Sequence, residues 1–422
     1  MKRCGRRSCP ERSSLAGDDG ELASIVVGVT AVPYGRSEAV GTRRERRSLI
    51  ALLRHVDVVL VGSALTLSLM GIIMVYSATR NLLIQQGTSQ RYYLERQAVW
   101  VVIGVMVMVG VAAIDYRRFR QWAYVIYGLV LCGLVGVFVV GKSQYGAERW
   151  YQIGPLQLQP SEFAALGVII AIAAYCSRRK GVLAAREMVG LLALAGVPML
   201  LVYKQPDLGT TIILGVTLAA MMLAADVRLR YLALLLAMVV GGFFFAVKLH
   251  VLDANQLSRL TSFLHQSKDA QGTNYEVTMT KNAISSGGLK GVGIDKGLAT
   301  NLALIPNQYT DFIFSAVGEQ LGFIGSAVVI GLFGVIALRM LRAAQMAKDT
   351  FGRLVCVGAV AFLAFSVFEN IGMNIGITPI TGIPLPFLSY GGSASFAFFA
   401  AIGLVLNVEM RRLPRREARG TW

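Results

Sequence analysis

Asp311 ends the polar stretch Pro306-Asn307-Gln308-Tyr309-Thr310-Asp311 and opens the apolar run Phe312–Met340. A carboxylate at the start of a long hydrophobic helix has two uses. It can cap the helix by accepting from its first N–H groups, as Thr310 could too. It can also serve as a general base, because the helix N-terminus favours its ionised form. Three more charged groups sit at similar edges: Glu162 after Gln159-Pro160-Ser161, and Lys204 and Asp207 flanking Gln205-Pro206. Each has a plainer reading. Ser161 and Glu162 can open a helix behind Pro160, and Lys204 and Asp207 can pair across a proline turn. Charges at the rim of a hydrocarbon layer are costly unless they face one another or water. Glu162, Lys204, Asp207 and Asp311 are therefore expected to converge on one polar cavity.

Deeper in the apolar runs lie Glu319, Glu369, Asn370 and Asn374. The two asparagines share a helix face at i, i+4. All four are expected to serve hydrogen bonds between helices rather than chemistry. The glycine-rich piece Ser285–Gly293 lacks the Gly-Lys-Ser/Thr ending of a phosphate-binding P-loop. It reads either as a flexible hinge or as a set of backbone N–H groups for a pyrophosphate. No nucleotide, zinc-protease or serine-hydrolase motif is present, so energy must come from an ion gradient or an activated substrate.

The elements that carry these residues are long apolar runs. The chain has 422 residues, 55% hydrophobic and 15% charged, with a mean hydropathy of +0.58. The runs are continuous, not alternating, which predicts an all-α polytopic membrane protein and not a β-barrel. About ten spans are expected: 56–77, 97–114, 122–140, 162–177, 187–203, 209–225, 230–248, 312–340, 354–377 and 387–408. Residues 1–55 read as a disordered basic cytoplasmic tail, 56–410 as the transmembrane domain and 411–422 as a second tail. Lys and Arg cluster in alternate loops, which places both termini in the cytoplasm and a large loop, 248–311, on the outside. The net charge of +17 then reflects cytoplasmic loops and not nucleic-acid binding. The five cysteines show no metal or disulfide spacing.

The motifs GAERW, QPSEF, KQPDLGTT, AISSGGLKGVG, TDFIFSAVGEQLGFIG and NIGMNIGITPITGIPLPFLSYGGSA resemble, in order and spacing, those of the SEDS proteins (shape, elongation, division, sporulation). The segment Gly376–Pro384 looks more like the RodA-type elongation branch than the FtsW-type division branch. The resemblance implies a peptidoglycan glycosyltransferase in the bacterial cytoplasmic membrane. It would polymerise lipid II by inverting transfer, with a class B penicillin-binding protein as transpeptidase partner. Asp311 matches the family's catalytic aspartate. By the same carry-over Arg149, Trp150, Glu162, Lys204, Asp207, Lys281 and Ser389 bind substrate. No cofactor is certain, and a divalent cation (Mg or Mn) with Asp311 as a ligand stays open. Three positions depart from the family pattern: Ala165 stands where lysine is usual, Tyr309 where histidine is common, and Gln320 where a second glutamate follows Glu319. Lys204 or Lys281 could replace the missing cation. A lipid II flippase and a non-catalytic scaffold are the competing readings.

Overall fold

The computed structural model describes residues 56–140, 142–144, 147–153, 156–179, 185–228, 230–235, 237, 241 and 273–411. The two tails, most of the expected span 230–248 and the loop up to 272 lie outside the described residues. The chain runs through α1 (Val58–Gln85), α2 (Tyr92–Ala113), α3 (Tyr116–Gln121) and α4 (Ala123–Val140) into three strands, β1 (Lys142–Gln144), β2 (Ala147–Ile153) and β3 (Leu156–Leu158). Then come α5 (Pro160–Ser177), α6 (Ala185–Lys204), α7 (Leu208–Ala224), α8 (Thr273–Ser286), the short α9 (Leu298–Asn301), α10 (Ile313–Gln345), α11 (Thr350–Ile375) and α12 (Gly392–Met410).

Among the described residues seven helices are long and apolar enough to cross a membrane, and α4 and α7 are shorter apolar helices. Their order and approximate limits follow the apolar runs. The small antiparallel sheet β1-β2-β3 was not expected of an all-α chain. Its seven-residue central strand, AERWYQI, alternates too weakly to stand out beside the apolar runs. The sheet rests on α4 and α5, and Tyr151 donates its hydroxyl proton to the Gly133 carbonyl of α4 at 3.0 Å.

Helix α12 is enclosed along its whole length and lies against α2; α10 packs between α1 and α11; α11 also contacts α5 and α7. The helices alternate in direction. One end of the bundle therefore gathers the starts of α5, α7, α10 and α12 and the end of α11. This is the end that carries Asp311.

Helix α10 is broken at Gly322, whose φ of 66° and ψ of −162° are not helical. A break in a helix leaves peptide groups that must find other partners where they are buried. Here the glycine-rich piece satisfies them. Phe323 N–H donates to Gly288 O at 2.9 Å and Ile324 N–H to Leu289 O at 3.1 Å. In the other direction Val292 N–H donates to Glu319 O and Gly293 N–H to Gln320 O, both at 3.0 Å. The approach demands glycine. A Cβ on Gly287 would collide with the carbonyl oxygen of Gly318, and one on Gly291 with that of Gln320. Ser285–Gly293 is thus a splint across a helix break. It is neither a loose hinge nor a phosphate cradle, since the N–H groups of Gly287, Gly288, Gly291, Val292 and Gly293 all donate to protein carbonyls.

Candidate active site

Asp311 precedes α10 in a tight turn, where its N–H donates to Asn307 O at 3.1 Å. The N-cap of α10 is Phe312, which has no side-chain cap bond, and Thr310 donates its hydroxyl proton to Asn307 O and does not cap the helix. The helix start is held from α11. Asn374 Oδ1 accepts from Ser315 N–H at 3.2 Å. The Asp311 carbonyl accepts from Asn370 Nδ2 at 2.8 Å and from Asn374 Nδ2 at 3.3 Å. Asn370 also donates to Ile383 O at 2.8 Å, which ties in the loop ahead of α12. The i, i+4 asparagine pair therefore grips the peptide of Asp311. The Asp311 carboxylate lies beside Gly382, where an added Cβ would come within 3.6 Å of Oδ2. Glu369 is buried, but its Oε1 has no hydrogen-bond partner among the described residues. The expected interhelical bonding thus holds for the asparagines and not for that oxygen.

Glu162, in the first turn of α5, is within Coulombic range of both Asp207 and Asp311. The structure thus brings three of the four expected charges to one place. Asp207 is buried and caps α7: Thr210 N–H donates to Oδ1 at 3.1 Å, and Thr210 Oγ1, Ser161 Oγ and Gln159 Nε2 donate to Oδ2 at 2.9, 3.2 and 3.2 Å. These neutral donors replace the expected ion pair with Lys204, which is exposed at the end of α6. Arg149 donates from Nε to Gln205 O at 2.6 Å and from Nη2 to Pro206 O. It clamps the turn that presents Asp207, and its neighbour Trp150 is half-buried on β2.

Two other expected ligand-binding residues are placed differently. Ser389 is buried and its hydroxyl accepts from Leu385 N–H at 2.8 Å; it shapes the loop from within. The end of the Lys281 side chain lies against Gly376, where α11 terminates in a left-handed residue and a helix C-terminus favours a cation. Ala165 is packed in the core.

Glu319 anchors the loop, while Gln320 ties both the loop and the neighbouring span α1. Glu319 is buried and accepts from Ala299 N–H, Thr300 N–H and Thr300 Oγ1 at 2.7, 3.1 and 2.6 Å, an anion at the start of α9. Gln320 Oε1 accepts from Ser77 Oγ at 2.8 Å and Asp295 N–H at 3.2 Å. Tyr309 joins Tyr93 and Tyr390 in a ring cluster, with centroids 4.8 to 5.9 Å apart. Burial raises the Tyr390 hydroxyl pKa above its usual value, opposed by Arg96 and Trp100. Gln159 and Thr210 were not anticipated as site residues. The signal for Thr210 was its place three residues after Asp207, which is capping spacing.

A family model described as "FTSW_RODA_SPOVE: Cell cycle protein" matches residues 57–413. The chain belongs to this family. The FtsW/RodA/SpoVE match takes in every element described above. A relative from Trichlorobacter lovleyi, named probable peptidoglycan glycosyltransferase FtsW, is 34% identical over 366 residues, covering 84% of this chain and 93% of its own. Another from Escherichia coli, named peptidoglycan glycosyltransferase MrdB, is 33% identical over 341 residues, 81% of this chain and 91% of its own. A solved structure titled as the structural coordination of polymerization and crosslinking by a peptidoglycan synthase complex superposes with a TM-score of 0.68 at 28% identity, covering 84% of this chain and 97% of that one.

Proposed function

We propose that this family member polymerises lipid II into glycan strands at the outer face of the bacterial cytoplasmic membrane. The observation that carries the reading is the grip on Asp311. Its peptide is fixed by Asn370 and Asn374, and Asn374 also accepts from Ser315 N–H at the start of α10. A carboxylate held in position in this way can take a proton from a substrate hydroxyl. In this reading Asp311 deprotonates the acceptor sugar hydroxyl, and that oxygen attacks the anomeric carbon of the second lipid-linked sugar. The bond to undecaprenyl pyrophosphate breaks, and the configuration inverts.

Among the described residues no three His, Cys, Asp or Glu side chains converge as an all-protein metal site. Magnesium commonly binds through one or two carboxylates plus substrate phosphate oxygens, and the acidic surroundings of Glu162 suit that donor set. Asp311 and Glu162 would hold such a cation, which would supply charge neutralisation to the leaving pyrophosphate.

With both termini in the cytoplasm the Asp311 end faces outward, where the basic loops of the opposite end do not compete for substrate. The Gly376–Pro384 segment favours elongation over division, although relatives named for FtsW and for MrdB match about equally well. Cross-linking falls to a class B penicillin-binding protein, in keeping with the synthase complex whose structure this chain resembles.

The test is lipid II polymerisation by purified protein with its transpeptidase partner. Asp311→Ala is expected to remove roughly 10²-fold or more of the rate, as loss of a general base does, with thermal stability retained. Undiminished polymer from Asp311→Ala overturns the base assignment. Lipid II translocation in proteoliposomes with no polymer would favour a flippase.

A further inference from the structure

The lipid-facing surface of α10 begins at its break. Ile313–Gln320 are buried. Phe323 is 67% exposed, and exposed apolar side chains recur at Ile324, Val328 and Leu338. From Phe323 to Gln345 the helix is roughly 34 Å long at 1.5 Å per residue, close to the roughly 30 Å of a hydrocarbon core. The rim of the hydrocarbon therefore falls at Gly322, and the splint is hydrogen-bonded to α10 at that level.

The splint's outward side is apolar and basic. Leu289 and Leu298 are 71% and 70% exposed, and Ile294 and Leu302 are exposed as well. Lys290 and Lys296 lie between them, also exposed. From Gly291 to Leu298 the exposed residues Val292, Ile294, Lys296 and Leu298 alternate with less exposed ones. The single acid of the segment, Asp295, pairs with Arg80 at 3.3 Å. Apolar side chains interleaved with cations and free of exposed acids suit the boundary between acyl chains and anionic headgroups.

We propose that Gly288–Leu302 is a membrane anchor, lying in the headgroup–acyl boundary of the leaflet on the Asp311 side. Leu289, Ile294, Leu298 and Leu302 enter the acyl region, and Lys290 and Lys296 reach anionic phosphates. The anchor is continuous with the lipid-facing side of α10 through the bonds to Phe323 and Ile324, and it sets the depth at which Asp311 stands above the bilayer.

The test uses the full chain in phosphatidylcholine/phosphatidylglycerol vesicles, with lipids brominated near the headgroup end of the acyl chain. Tryptophan is introduced as Leu289→Trp or Leu298→Trp, with Phe323→Trp as the membrane reference, and the added emission is read against the parent protein. About half or more of that emission should be lost to the brominated lipid in all three variants, with little quenching by aqueous acrylamide. Brominated phosphatidylglycerol should quench Leu289→Trp more than brominated phosphatidylcholine, and Lys290→Glu/Lys296→Glu should remove the difference. Acrylamide quenching without lipid quenching at 289 and 298, while Phe323→Trp still responds, overturns the anchor. Shielding that appears only when a partner protein is added also overturns it, in favour of a protein interface. Equal quenching by the two lipids before the charge reversal overturns the headgroup contact.

Discussion

The two ends of the bundle hold their helices by different chemistry. At the end away from Asp311, ionised groups carry the structure. Asp57 caps α1 and pairs with Arg339 at 2.5 Å, with its side chain 1% exposed. Arg353 joins Asp226 and the Ala224 carbonyl at the end of α7. The last carbonyls of α2 are collected by Asn407 and Arg411: Asn407 takes Val111 and Ile114, and Arg411 takes Ala112 and Ala113. Burial there lowers the Arg411 pKa from its usual value. At the Asp311 end neutral donors do the corresponding work. Two asparagine amides grip the Asp311 peptide, backbone groups splint α10, and Asp207 is held by a threonine, a serine and a glutamine. Arg80–Asp295 is the one ion pair described there. Arg149 is the cation beside Asp207, and it donates to the Gln205 and Pro206 carbonyls, not to a carboxylate. The helix starts there are held mainly by uncharged donors.

If the contrast is real, damage at the far end should cost stability and damage at the near end should cost activity. The exception should be the splint, which belongs to both. Gly287→Ala should have the largest effect. Its Cβ meets backbone, not a movable side chain, and folded protein should be lost altogether, read as the yield of monodisperse protein in detergent. Arg339→Ala comes next. Stranding Asp57 should cost about 3 kcal/mol, seen as a lower unfolding midpoint. Polymerisation per folded molecule should be unchanged, and a fall would show that the far end reaches the site. Asn370→Leu should lose about 1–3 kcal/mol, because two carbonyls lose a donor. Its turnover should fall more than its stability does, with KM little changed. Equal loss of turnover and fold would reduce the asparagine to a structural role. Glu319→Gln should have the smallest effect on turnover per folded molecule but should cost about 1–3 kcal/mol of stability, seen as a lower unfolding midpoint, because both carboxylate oxygens accept and the amide nitrogen must face either Ala299 N–H or the Thr300 donors.

The spans were legible because each is a continuous apolar run, and Asp311 stood out as a charge at the rim of one. Asn370 and Asn374 could be paired from their spacing alone. What they grip could not be read, because the Asp311 carbonyl is a backbone atom some sixty residues away and leaves no side-chain signature. The same limit explains the splint. Its glycines suggested freedom or phosphate, while their function is to let one backbone approach another, and the break they serve is set by a dihedral angle at Gly322. Lys204 and Asp207 are close in sequence, but it is Gln159 and Ser161 from the start of α5 that bind the carboxylate. The family resemblance put Ser389 among the substrate-binding residues; only the packing of its loop shows its hydroxyl accepting from Leu385 N–H. The sheet and the depth of Ser285–Gly293 likewise depend on contacts across the fold.

The break in α10 also bears on how the protein is made. Ser285–Gly293 leaves the ribosome before Phe323 and Ile324, so the splint is synthesised ahead of the helix it repairs. Until the two meet, the open peptide groups around Gly322 stand at the hydrocarbon rim without a protein partner and cannot move into the bilayer at low cost. Membrane insertion of α10 and docking of the loop therefore belong to one event. A chain that fails to dock should be cleared by quality-control proteases during synthesis, before any mature protein exists to unfold.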